Sequence, residues 1–137
     1  MIVAVDFDGV LCKDAFPEIG EPNYRVISFV RELIDDGHEV VLWTCRVDRR
    51  LVEAVKWCHD RGLYFCAVND NAPSNKAKYE KEYPNGTRKV FADVYLDDKS
   101  AEFMAVSSKK VWHNHCTGYE AAIDRMIDYA RKVIKND

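Results

Sequence analysis

The sequence has no apolar run long enough to span a bilayer, so it is not expected to encode a membrane-crossing helix. It has no cysteine pair at the C-x-x-C spacing of a zinc site. Its five cysteines (Cys12, Cys45, Cys58, Cys66 and Cys116) are odd in number, and several sit inside apolar runs, where a free thiol packs as a small hydrophobe. That usage points to a reduced, cytoplasmic setting. Positive charge is not in excess: 20 Lys and Arg face 23 Asp and Glu, for a formal net charge of -3. No bulk basic field therefore draws nucleic acid, although a local patch stays open. No basic leader precedes an apolar segment, since Met1-Ile2-Val3-Ala4-Val5 runs straight into Asp6, so no signal peptide is expected. Internal repeats, low-complexity tracts and interdomain linkers are missing too, which leaves residues 1–137 as one domain.

What is present suits a folded chain. Apolar residues make up 47% and charged residues 31% of 137, enough to bury a core without disulfides. Ile2 to Val5 is an unbroken apolar run rich in β-branched residues, the mark of a strand buried on both faces of a parallel sheet. A polar, turn-rich stretch follows from Lys13 to Asn23. Val26, Ile27, Val30, Leu33 and Ile34 repeat at helical spacing, and Gly37 ends that helix. Val40 to Trp43 reads as a second strand, and Leu51, Val52, Val55 and Cys58 as a second helix closed by Gly62. Leu63 to Val68 is a third strand. Asn69 to Arg88 is polar, with one short helix over Lys76 to Tyr83. Val90 to Leu96 holds a fourth strand, Lys110 to His113 a fifth, and Tyr119 to Ile134 a closing helix. Strand, helix and glycine in this order predict a three-layer, Rossmann-like α/β domain with right-handed crossovers.

The sharpest feature is Val5-Asp6-Phe7-Asp8-Gly9-Val10, where two acids follow the first buried strand. The fourth strand ends Tyr95-Leu96-Asp97-Asp98. Ligands of an open α/β sheet bind beyond the carboxyl ends of its strands, so both acidic pairs fall on the functional edge. Carboxylates gathered there repel unless a cation sits among them, and a hard divalent ion such as magnesium takes oxygen ligands of this kind. Either pair alone reads as turn or cap chemistry; two at equivalent strand ends favour a site. Thr44 ends the second strand and suits a phosphate oxygen, though a lone Thr there is more often a helix cap. Lys89, before the fourth strand, could clamp a phosphate.

Asp6-Phe7-Asp8-Gly9-Val10, Thr44, Lys89 and Asp97-Asp98 together resemble the four motifs of the haloacid dehalogenase superfamily of phosphohydrolases, in the right order over residues 1 to about 100. The resemblance implies a parallel sheet ordered 5-4-1-2-3. It implies Asp6 as nucleophile, forming an aspartyl-phosphate, and Asp8 as general acid and base. It implies Mg2+ held by Asp6, the Asp8 backbone carbonyl and Asp97, with Asp98 supporting the metal, and Thr44 and Lys89 stabilising the transferred phosphoryl group. Val10 replaces the family's commoner Thr, and Lys76 and Lys78 are alternatives to Lys89. The two usual cap insertions hold only Lys13 to Asn23 and Asn69 to Arg88, so a capless enzyme is expected.

Other residues read more plainly. Arg46 either holds a substrate anion at the open mouth or faces water, and Asn69-Asp70-Asn71 either lines that mouth or makes a turn. Cys45 reads as buried filler, and Trp43, Trp57 and Trp112 as core. His113 and His115, beside Cys116, have no second ligand cluster to make a metal site. The expected activity is magnesium-dependent hydrolysis of a phosphorylated small molecule or of an exposed phosphate on a larger one. The rival readings are a non-catalytic magnesium and phosphate-binding regulatory module, and a phosphotransferase or nucleic-acid-end phosphatase with Arg46, Arg49 and Arg50 as a local groove.

Overall fold

The four residues Ile2-Val3-Ala4-Val5 are all buried, two on each face of the sheet they form. The computed structural model describes residues 1–109 and 117–135. In chain order the elements are β1 (Ile2–Val5), β2 (Cys12–Ala15), β3 (Glu18–Pro22), α1 (Tyr24–Asp35), β4 (Glu39–Leu42), α2 (Asp48–Asp60), β5 (Ala67–Val68), α3 (Pro73–Tyr79), β6 (Val94–Leu96), α4 (Ala101–Ser107) and α5 (Gly118–Lys135). The main sheet is parallel and runs β5-β4-β1-β6, while β2 and β3 make a separate antiparallel hairpin. Strand alternation divides the core in two. Val3, Val5, Val40, Leu42 and Leu96 join the larger core with the buried faces of α1, α2, α4 and α5. Ile2, Ala4 and Val41 face the other way, where the cover is thinner: Ala72, Val90 and Ala92, with Trp43 and Ala67 packed alongside.

Register is what positions the site. Val5 lies opposite both Leu42 of β4 and Leu96 of β6. Three adjacent strands therefore run out at the same level, and the residues after them emerge side by side. Asp6 N donates to Leu96 O at 2.9 Å, and Trp43 N donates to Val5 O at 2.9 Å, so the pairing continues to the edge. Helix ends behave as their sequences suggest. Gly37, at φ 90°, follows α1, with its N–H on Ile34 O and that of His38 on Leu33 O. Ser100 caps α4 by accepting from Phe103 N at 3.3 Å.

Several expectations need correction. Numbered along the chain the main sheet runs 5-4-1-6, because an unexpected hairpin supplies β2 and β3; the four expected strands that are described (β1, β4, β5 and β6) lie side by side in the expected order 4-1-2-3, and the fifth, expected over 110–113, lies outside the described residues, as do Trp112, His113, His115 and Cys116. The stretch from Lys13 to Asn23 is not a plain loop but largely that hairpin. Its Cys12↔Pro22 and Asp14↔Ile19 pairs are interrupted by a register shift, and Lys13, Asp14 and Ala15 are exposed, so no apolar alternation marks it. The third and fourth strands are shorter than expected. Asp93 still donates from its N–H to Ile2 O at 2.8 Å, but residues 90–92 leave the sheet, and the Tyr95 hydroxyl caps them, donating to Val90 O at 2.6 Å and accepting from Ala92 N at 3.1 Å. The helix expected over Lys76 to Tyr83 is α3, starting at Pro73, where proline suits a first turn. Among the described residues, no helix is long and apolar enough to cross a membrane.

One close approach ties fold to site. Gly9 sits at φ 87°, and a Cβ added there would lie 2.1 Å from Asp98 Oδ2. Gly37 has a similar φ of 90° but nothing within 4 Å of an added Cβ. The two glycines separate backbone strain from crowding. Gly37→Ala should cost roughly 1–2 kcal/mol, the penalty for a left-handed residue bearing a Cβ. Gly9→Ala should cost clearly more, because Asp98 or the loop must move. Denaturant unfolding of both variants checks this; equal losses would mean that Asp98 does not pack against Gly9.

Candidate active site

Three carboxylates meet at the edge where β1 and β6 end. Ligand atoms of Asp6, Asp97 and Asp98 all lie within 4.8 Å of one another. Asp6 and Asp97 are half-buried, and Asp98 is buried beneath the turn at Gly9. Asp6 Oδ1 accepts from Phe7 N at 2.8 Å, and Asp97 Oδ1 accepts from Lys99 N at 2.8 Å, so each loop orients its own acid. Burial, the charge of Asp97 and a hydrogen bond with Asp98 push the Asp6 carboxyl up to about 8; the Phe7 N–H opposes them. Burial also raises Asp98, against the pull of its hydrogen bond with Asp6 and of nearby Lys99. A cluster in which folding makes ionisation so costly is suited to a cation. Its donors are all carboxylate oxygens, which fits a hard divalent ion such as Mg2+.

Asp8, two residues on, lies in a different environment. Its Oδ1 accepts from Arg46 Nη2 at 2.8 Å and its Oδ2 from Arg46 Nε at 2.8 Å, a bidentate pair. This corrects the sequence reading of Arg46, which neither lines an open mouth nor faces water: it is 2% exposed. It also donates to Pro17 O at 3.2 Å and Glu18 O at 2.9 Å, and its guanidinium carbon lies 5.1 Å from the ring centres of both Phe7 and Phe16. Asp8 is accordingly not among the side chains that form the acidic cluster. Arg49 and Arg50 pair with Glu53, at 3.6 and 4.0 Å, and Arg50 meets Arg46 only at the Pro17 carbonyl, to which both donate at 3.2 Å.

Thr44 follows β4, next to β1. Its N–H donates to Asn69 Oδ1 at 2.8 Å, and its Oγ1 accepts from Arg46 N at 3.1 Å. Asn69 thus braces the Thr44 loop, while buried Asn71 donates to Thr87 Oγ1 at 3.1 Å and accepts from Phe91 N at 2.7 Å. The candidate lysines are placed elsewhere. Lys89 Nζ lies 5.6 Å from the Tyr95 ring centre, Lys76 is ion-paired with Asp70, and Lys78 lies 5.4 Å from the Tyr79 ring centre. Among the described residues none of these three pairs with the acidic cluster. Lys99 does: its Nζ is 3.7 Å from Asp98 Oδ2. Cys45 is exposed, not buried filler; Trp57 packs edge-on against Phe7, with centroids 5.3 Å apart, and Trp43 against the thinner core.

Sequence reasoning missed two members of the site. Lys99 directly follows the second acidic pair, so adjacency alone could have flagged it. Tyr119, at the start of α5, donates from its hydroxyl to Gly9 O at 2.8 Å and steadies the turn that carries Asp6 and Asp8. Burial pushes its phenol up to about 12. Tyr119 is 110 residues from Gly9, and no local pattern announces such a contact.

The raised Asp6 carboxyl has a measurable consequence for the protein in chelator. In the unfolded chain this group titrates near 4, roughly the usual carboxylate value. The folded state therefore binds more protons between that pH and about 8. Stability contributed by Asp6 falls as pH rises through that window and levels off above it. Thermal unfolding in chelator at a series of pH values should show this decline, and Asp6→Asn should flatten it. An unchanged slope in Asp6→Asn would show that Asp6 is not the strained carboxyl.

No protein-family model matches the chain, and no curated protein matches it in sequence. Among solved structures it is similar to a conserved protein coded by a locus of Bacteroides thetaiotaomicron, with 27% identity over 94% of this chain and 91% of that one and a TM-score of 0.66.

Proposed function

We propose that the protein is a magnesium-dependent phosphomonoester hydrolase that works through an aspartyl-phosphate on Asp6. The observation that carries this reading is the convergence of Asp6, Asp97 and Asp98 at adjacent strand ends, with Asp8 on the same turn as Asp6. The order of motifs that resembles the haloacid dehalogenase superfamily supports it.

The residues divide the chemistry as follows. An Asp6 carboxylate oxygen attacks phosphorus as the bond to the leaving oxygen breaks, and Asp8 gives that oxygen a proton. Asp8 then takes a proton from water as the water oxygen attacks phosphorus, which frees phosphate and restores Asp6. A magnesium ion held by Asp6, Asp97 and Asp98 would neutralise the carboxylates and the incoming phosphate. Thr44 contributes a hydroxyl beside β1, and Lys99, rather than Lys89, is the lysine at the cluster. Substrates are phosphorylated small molecules or exposed phosphates on larger ones. A nucleic-acid end loses the support of a basic groove, since Arg46 is buried and Arg49 and Arg50 are paired.

Purified protein should release phosphate from an aryl phosphate only with magnesium, and Asp6→Asn should abolish the release, an amide being a far poorer nucleophile. Turnover that survives thorough chelation would remove the metal from the account. Asp97→Asn should weaken magnesium binding at least about 10-fold by calorimetric titration, with the fold intact. It should also raise the unfolding temperature of the metal-free protein, because one repelling charge is gone. Unchanged affinity would mean that Asp97 is not a ligand.

A further inference from the structure

Among the described residues Arg46 is the largest fully buried side chain, and its guanidinium joins two parts of the molecule that the sequence keeps separate. On one side it grips both oxygens of Asp8. On the other it donates to the carbonyls of Pro17 and Glu18, at the tip of the β2–β3 hairpin. Phe16, also at the tip, lies against it together with Phe7. Arg50 donates to Pro17 O as well, at 3.2 Å. Away from its tip the hairpin is held by Cys12, in the larger core's buried set, and by Ile19, partly buried against that core. Its strands are mostly exposed, and apart from Cys12 it adds no residue to the larger core's buried set. The seat of its tip is therefore largely polar, and Arg46 supplies two of its hydrogen bonds from one planar fork, a geometry lysine cannot reproduce.

We propose that Arg46 is a positioning residue that couples the hairpin to Asp8, so that seating the hairpin tip and orienting the acid/base carboxyl are one event. Asp8 must present a carboxyl oxygen to the leaving group at hydrogen-bond reach. Left to itself, an aspartate carboxyl rotates freely about its last bond; the bidentate pair fixes that rotation. Each carboxyl oxygen has two lone pairs, and Arg46 takes one from each, so one on each oxygen remains for proton transfer. The hairpin is thus the small cover of this site, and its docking sets the geometry of Asp8.

The kinetic arm rests on the phosphohydrolase reading; the dynamic arm does not. Arg46→Lys keeps charge but loses the fork. Its kcat on an alkyl phosphate, whose leaving oxygen needs the Asp8 proton, should fall at least about 100-fold. On 4-nitrophenyl phosphate, which leaves with little protonation, the fall should be under about 10-fold, with KM within about twofold on both. A guanidinium that only bound substrate phosphate would raise KM for both esters, and one that only supported the fold would lower both rates alike; either pattern overturns the proposal. Phe16→Ala, at a residue 60% exposed, should shift the two esters in the same unequal way while leaving Asp8 and Arg46 themselves unsubstituted. Amide hydrogen exchange over residues 12–22 should speed up at least about 10-fold in Arg46→Lys and also in Asp8→Asn, each measured in the full chain. Unchanged hairpin exchange in Asp8→Asn would break the coupling whatever the kinetics show. If the wild type hydrolyses neither ester, the phosphohydrolase reading falls and the exchange experiment alone decides the coupling.

Discussion

Mutual repulsion among Asp6, Asp97 and Asp98 is the constraint around which this end of the molecule is built. With ligand atoms within 4.8 Å, each pair of full charges would repel by at least roughly 3 kcal/mol at an effective dielectric near 20. Nothing local requires the chain to accept that cost. It follows from register: Val5 pairs with Leu96, so the next residue of each strand must emerge beside the other. Buried β-branched and aliphatic side chains on both faces of β1 hold that register, because a one-residue slip would send every one of them to the opposite face. The core thus supplies the energy that keeps the acids together. Gly9 contributes by leaving room for Asp98 under the turn, and Tyr119 by holding that turn from the far end of the chain.

Asp6 and Asp8 are two residues apart and are treated in opposite ways. Asp6 faces other acids and is pushed toward its protonated form. Asp8 faces a buried guanidinium that donates one hydrogen bond to each of its oxygens. Neighbouring carboxyls given contrasting surroundings can take different roles in one reaction, in the proposed one nucleophile and proton carrier. The same guanidinium seats the hairpin, so the tip of that hairpin is fastened to Asp8 through one side chain. Both contrasts grow from a single turn at the end of β1.

The sheet and its acidic edge were legible because they rest on short-range signals. Unbroken apolar runs gave β1 and β4, helical periodicity gave α1 and α5, and acids immediately after strands marked the site. The hairpin was illegible because its strands are exposed and carry a register shift, so neither alternation nor an apolar run reveals them. Arg46 misled for a related reason. An arginine near a strand end is usually solvated, and only the fold shows that Asp8 and two hairpin carbonyls converge on it. Lys89 was assigned by order of motifs, yet residues 90–92 leave the sheet under the Tyr95 hydroxyl, and its ammonium lies beside that ring. Charge partners across distant segments are set by packing, which periodicity does not encode.

The central claim is that Asp6 carries the phosphoryl group. Rapid quenching of Asp8→Asn with 4-nitrophenyl phosphate and magnesium, followed by intact-mass measurement and peptide mapping, tests it most directly. Loss of Asp8 should slow hydrolysis of the intermediate more than its formation, so one added phosphoryl group should accumulate on the peptide holding Asp6. The same treatment of Asp6→Asn should add nothing. Phosphate mapped to Thr44, Cys45 or a histidine, or an equal mass gain in both variants, would contradict the account.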